Sequence, residues 1–168
     1  MANRQIRPIR IDGNIAYVPL TKGYEAVIDA ADAALICRWN WSAEIDGHTV
    51  YAKRKDCSGP KPRKVFLHRA IMGEPEALQV DHRDGNGLNN RRANLREATR
   101  QQNMHNQRTR CDSTSGFKGV GPSKGKWQAR IKLHGKVRHL GYFHTPEVAH
   151  AAYCKASKEL HGDYGRTQ

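Results

Sequence analysis

Four residues between positions 81 and 103 offer the parts of a hydrolytic centre. The imidazole of His82 can accept a proton at neutral pH, because its unperturbed pKa is about 6.5. Asp81 and Asn103 offer a carboxylate and an amide oxygen, ligands that suit a hard divalent cation such as Mg²⁺. Asn94 stands between them and is placed to hold the His82 ring, or the loop beneath it. Phosphodiester hydrolysis needs an activated water and a cation against developing charge, and this set supplies both. His105 is a second candidate ligand, but two residues on a helix it lies about 200° from Asn103. The two cannot easily face one metal, and spacing alone does not choose between them.

These side chains need elements to position them. Arg83-Asp84-Gly85-Asn86-Gly87 carries the turn chemistry that sends the chain back after His82. Leu95 to Gln107 reads as the following helix. Neighbours on an ideal strand point to opposite faces, so Asp81 and His82 share a site only if the strand ends or twists there. Upstream, Val65 to Met72 reads as a strand or short helix carrying His68-Arg69. His68 is either a packed structural residue or a group near the phosphate. Arg69, Arg83, Arg91, Arg92, Arg96 and Arg100 read as phosphate contacts rather than catalytic groups.

Residues 1–60 read as an α+β lead-in. Ile9 to Leu20 forms a hairpin around Asp12-Gly13-Asn14, and Trp41 to Lys53 a second around Asp46-Gly47. Asp29 to Trp39 is expected as a short helix, with Trp39 and Trp41 as fillers of a small core.

Lys plus Arg number 29 against 16 Asp plus Glu, a net charge of +13. The surplus grows along the chain: 8 basic against 7 acidic residues over 1–60, 11 against 6 over 61–112, and 10 against 3 over 113–168. A surplus of this size argues for a polyanionic partner. No stretch reaches the roughly 20 apolar residues that span a bilayer, and no apolar run follows the basic N-terminus. Nucleic acid is therefore preferred to a membrane. Only 38% of the residues are hydrophobic, so small cores are expected rather than one large one. Cys37, Cys57, Cys111 and Cys154 form no C-x-x-C pair. They do not suggest structural zinc or a disulfide framework, and they fit an intracellular protein.

Asn106 to Ser115 reads as a polar linker, and a β-β-β-α pattern follows it. Trp127, Ala129, Ile131 and Leu133 alternate with Lys126, Gln128, Arg130 and Lys132. One face wants a core and the other is a row of donors. Thr145 caps a helix that has Pro146 at its first position. Ala149, Ala152, Tyr153, Ala156 and Leu160 make its apolar stripe.

Two resemblances carry further expectations. D-H, eleven residues, N-L, seven residues, N (Asp81 to Asn103) resembles the HNH nucleases of phage group I intron homing endonucleases. The likeness extends upstream through HRAIMG and covers roughly residues 15–107. It implies a ββα-metal (His-Me finger) site with His82 as general base and Asn94 orienting it. Asp81 and Asn103 would be the metal ligands, and Mg²⁺ or Mn²⁺ the single cation. Many relatives carry two C-x-x-C zinc pairs, which are absent here. FKGV, KWQARI, LGYF and the Ala-rich helix resemble the plant Apetala-type (ethylene-response-factor) DNA-binding domain, in the version fused to phage and bacterial HNH nucleases. By position, Lys118, Lys126, Gln128, Arg130, Lys132 and His139 would face DNA. Gly121, Ser123 and Val137 depart from the plant pattern, so base preference does not transfer.

The expected architecture is α+β: a nuclease domain over 1–107, a linker over 108–115, and a three-stranded antiparallel sheet on one helix over 116–168. The implied protein is a metal-dependent endonuclease of duplex DNA, nicking one strand per active site. It would be a monomer or weak dimer in the cytoplasm of a phage-infected bacterial host. The alternative is a sequence-specific DNA-binding protein with an inactive nuclease. RNA is a weaker partner, since stacking aromatics are lacking.

Overall fold

The computed structural model describes residues 5–109 and 112–167. The first four residues, Arg110 and Cys111 of the expected linker, and Gln168 lie outside them. The fold is mixed α/β, with several small antiparallel sheets and few helices. It divides into two compact units, Met1–Ala98 and Thr99–Gln168.

In the first unit, β1 (Arg10–Asp12), β2 (Ile15–Pro19) and β3 (Glu25–Asp29) form one sheet. Gly13 takes the positive φ that the β1–β2 turn demands. The expected helix over 29–39 shrinks to a 3₁₀ turn, Ala30–Asp32, and one helical turn, α1 (Ala33–Ile36). Asp29 instead ends β3, where its carboxylate accepts from Arg91 Nε and Arg92 N at 2.9 and 2.8 Å. A second sheet holds β4 (Ser42–Asp46), β5 (Thr49–Asp56) and β6 (Arg63–Phe66). β6 runs straight into α2 (Leu67–Ile71), so the 65–72 segment is strand and helix in succession. Trp41 fills the core, and its Nε1 donates to Ile36 O at 3.2 Å. Trp39 does not: it is exposed, with the Arg54 guanidinium 4.2 Å from its ring centroid.

A two-stranded hairpin completes this unit, β7 (Gln79–His82) against β8 (Leu95–Ala98). Leu95 to Ala98 is thus strand, and the helix expected from Leu95 begins five residues later. α3 (Arg100–Asn106) starts at Thr99 because a capping box forms there. Thr99 Oγ1 accepts from Gln102 N, and Gln102 Oε1 accepts from Thr99 N.

α3 groups with the second unit. Its end is tied there by Arg166 N, which donates to His105 O at 3.2 Å, and by the rings of His105 and His161, stacked 3.6 Å apart. The sheet of this unit has the order β11 (Lys136–Phe143), β10 (Lys126–Leu133), β9 (Val120–Ser123). α4 (Pro146–His161) covers one face, capped by Thr145, whose Oγ1 accepts from Val148 N. Ala129 and Ile131 are buried against Ala149, Tyr153 and Ala156, as the alternation requires. A bulge between Ala129 and Arg130, opposite Leu140, brings His139 into register with Arg130 and turns Leu140 into the core. No helix among the described residues is long and apolar enough to cross a membrane.

Candidate active site

The loop joining β7 to β8 is fastened to β3 from outside the hairpin. Val27 N donates to Leu88 O at 2.8 Å, and Asn90 N donates to Val27 O at 2.7 Å. Arg92 adds a bidentate pair to Asp32 at 2.7–3.1 Å. Gly87 lies so close to β5 that a Cβ there would stand 2.6 Å from the Tyr51 ring. These contacts place Asn90 at 0% exposure beside His82, itself 5% exposed.

His82 Nε2 lies 3.2 Å from Asn90 Oδ1. The Asn90 amide is oriented by Nδ2 donating to Gly87 O at 3.3 Å. With Oδ1 turned to the ring, Nε2 must carry the proton, and the basic lone pair of the neutral ring falls on Nδ1. Burial pushes the His82 pKa below its usual value, against the opposing pull of Asn90, Asp84 and Asp81. The ring is thereby kept neutral, the state a general base requires.

Asn94 holds the loop rather than the ring. Its Oδ1 accepts from Asp84 N, and its Nδ2 donates to Asp84 Oδ1 and Asn89 O at 2.8–3.1 Å. Burial alone would raise the Asp84 pKa, but donors from Asn86, Asn89 and Asn94 hold it below the usual carboxylate range. Asn90, which sequence reasoning passed over, is the ring's partner. Its only sequence signal is the Asn89-Asn90 pair inside the loop, which cannot be told from its asparagine neighbours without the fold.

Asp81 and His82 have different surroundings, as adjacent strand residues should. Asp81 Oδ2 accepts from Arg96 Nε and Nη2 at 2.9 and 2.7 Å, with both side chains buried. The pair is formed directly across the β7–β8 ladder. A guanidinium thus already neutralises the carboxylate expected to bind a cation. In this conformation Oδ2 does not fit the role of an open metal ligand. Asn103 lies on α3, half-buried. Among the described residues no group of three or more His, Cys, Asp or Glu is placed to hold a metal ion.

The arginines expected on DNA divide by structure. Arg83 is exposed. Arg96 and Arg92 are the ion-pair partners above, and Arg69 donates to Pro75 O and Leu78 O at 2.5 and 3.3 Å. In the second unit Lys126, Arg130, Lys132 and His139 are exposed on the sheet face opposite α4, and Gln128 is half-buried. His139 leans on Tyr142, ring centroids 4.5 Å apart. Lys118 is placed differently: its Nζ donates to His105 O and Gln107 O at 2.5 and 2.6 Å. Burial lowers its pKa to about 8. It holds the end of α3 instead of facing outward.

Residues 66–105 match the HNH endonuclease family, a span that includes His68, β7, the loop and β8. The chain is 35% identical over 107 residues to protein 3.8 of Escherichia phage T7, covering 62% of this chain and 88% of the phage protein. It is 29% identical over 145 residues to the uncharacterized HNH endonuclease L560 of Acanthamoeba polyphaga mimivirus, covering 85% of this chain and 74% of the viral one. No solved structure matches. The chain belongs to one family with phage T7 protein 3.8, and its residues 66–105 are an HNH endonuclease domain.

Proposed function

We propose that this protein is an endonuclease that hydrolyses phosphodiester bonds in duplex DNA, with His82 as the general base. The observation that carries this reading is the buried Asn90–His82 hydrogen bond, which leaves a neutral ring with its lone pair on Nδ1. A base in this state takes a proton from water as the water attacks phosphorus. HNH nucleases use a divalent cation, and Mg²⁺ or Mn²⁺ is expected here, with Asp81 and Asn103 the residues nominated by sequence. Arg96 holds Asp81 in an ion pair, so that carboxylate does not stand open to the cation in this conformation. One HNH segment per chain favours nicking. The exposed row Lys126, Arg130, Lys132 and His139 supports DNA contact through the second unit. There Arg130 and Gln128 are suited to guanine and adenine edges, and the lysines to phosphates.

The test is supercoiled plasmid incubated with Mg²⁺ or Mn²⁺. Wild type should convert it to open circle, EDTA should stop the reaction, and His82→Ala should be inert. His82→Ala nicking at the wild-type rate would remove His82 from the role.

The Asp81–Arg96 pair favours one second reading, a DNA-binding protein whose nuclease segment is silent. Tight duplex binding with no cleavage by wild type in either metal would establish that reading instead.

A further inference from the structure

Residues 113–146 hold seven Lys and Arg and no Asp or Glu. All three strands of the second unit fall inside this stretch, and the sheet face away from α4 exposes Lys126, Arg130 and Lys132. Directly opposed residues of an antiparallel pair point to the same side of the sheet. Val137 pairs with Lys132 and Tyr142 with Gln128, so both belong to this basic face. Val137 is the most exposed large hydrophobic side chain among the described residues, at 63%. A singly exposed valine needs no partner on its own account. The setting of this one does ask for a partner. Val137 lies outside both apolar clusters of its unit, with Lys132 opposite and Arg130 on the diagonal. Tyr142, by contrast, has the His139 ring against it, centroids 4.5 Å apart. An apolar protein surface laid on Val137 would desolvate the flanking cations and supply no countercharge. A DNA major groove supplies countercharge from its phosphates, and its base edges carry one apolar group, the C5 methyl of thymine.

We propose that Val137 is a specificity-determining residue that packs on the C5 methyl of a thymine in the major groove. This rests on the reading above of the second unit's sheet as a DNA-contacting face. The groove, about 12 Å wide, admits a two-stranded ribbon, so β10 and β11 enter it together. Val137 then reaches the base edges beside Arg130. The lysines hold phosphates, Arg130 and Gln128 meet polar base edges, and Val137 distinguishes thymine from a pyrimidine that lacks the methyl.

In the experiment the full-length protein selects duplexes from a random library in EDTA. The best-bound duplex is remade with each thymine replaced in turn by deoxyuridine, which removes only the methyl. Wild type, Val137→Ser and Val137→Thr are titrated with each duplex. Val137 is exposed, so neither substitution touches the core, and thermal unfolding checks the fold. Wild type should lose affinity about three- to fivefold at one or two thymine positions. In Val137→Ser that loss should vanish at the same positions, whereas Val137→Thr, which keeps one γ-methyl, should retain it. Salt dependence should be the same in all three, because no phosphate contact is removed. A wild-type protein indifferent to every deoxyuridine would overturn the proposal, as would a loss that survives Val137→Ser. A dimer in sedimentation that Val137→Ser dissolves, with no deoxyuridine effect, would give the residue to a second copy instead. Arg130→Ala tests the underlying reading separately. If it leaves duplex affinity unchanged, or if no duplex is enriched at all, the sheet is not the DNA-reading face and the inference goes with that reading.

Discussion

Asn90 Oδ1 lies 3.2 Å from His82 Nε2, with both side chains buried between the β7–β8 hairpin and the loop fastened to β3. The expected consequence is that Asn90 sets the tautomer of the base. Asn90→Ala removes the Oδ1 that faces Nε2, at a cost of about 1–3 kcal/mol in stability. It should also slow cleavage by on the order of 10²–10⁴-fold while duplex affinity holds. Single-turnover nicking and urea unfolding measure the two effects. Wild-type cleavage by a folded Asn90→Ala protein would show that the bond does not orient the base.

Arg96 and Asp81 form a buried ion pair, and removing one side chain takes a bidentate charge partner from the other. Arg96→Met is expected to destabilise the first unit by about 3–5 kcal/mol. Arg96→Met with Asp81→Leu should recover most of that loss, because two apolar side chains replace both charges. Urea denaturation of the single and double variants reads the difference. Equal midpoints for Arg96→Met and wild type would mean the pair adds nothing to the fold.

Lys118 and Arg130 are both basic residues of the second unit, yet they should behave differently. Arg130→Ala removes an exposed side chain, so duplex affinity should fall and its salt dependence should shallow by about one unit if the contact is a phosphate. Lys118→Met removes the donor that holds His105 O and Gln107 O. Its salt dependence should match wild type, while amide exchange in residues 100–107 accelerates. A seven-residue helix has little stability of its own, so its end contacts matter. A shallower salt dependence in Lys118→Met would place that amine on DNA after all.

Acid should weaken the first unit through His68. Its folded pKa of about 3 lies below the unfolded value near 6.5. Between those values the unfolded chain binds a proton that the folded chain refuses. The stability contributed by neutral His68 is complete above pH 6.5 and is lost as pH falls toward 3. Burial at His82 acts in the same direction. His68→Phe should therefore flatten, without abolishing, the fall in urea midpoint between pH 6.5 and 4. An unchanged slope would assign the acid sensitivity elsewhere.

Much of the local structure was legible from the chain. Asp12-Gly13 and Asp46-Gly47 marked their hairpins because few residues tolerate the turn's positive φ. The Trp127-to-Leu133 alternation and the Thr145-Pro146 start fixed a sheet under a helix because side-chain period and capping are local properties. The strand nature of Leu95 to Ala98 was hidden, since only pairing with Gln79 to His82 makes it a strand. The helix over 29–39 failed for a similar reason: Asp29 is claimed by arginines more than 60 residues away.

The sequence by itself determined that the chain carries a D-H…N-L…N cluster and a basic C-terminal sheet, because spacing and charge are written in residue order. Tertiary structure decided what each polar group touches. It gave His82 to Asn90, the loop to Asn94, Asp81 to Arg96 and Lys118 to the end of α3. A hydrogen bond needs two groups within about 3 Å in the right orientation. Four asparagines and five arginines between residues 83 and 100 offer too many equivalent partners for order alone to choose. The choice came from β3, whose edge holds the loop and so fixes which asparagine faces the ring.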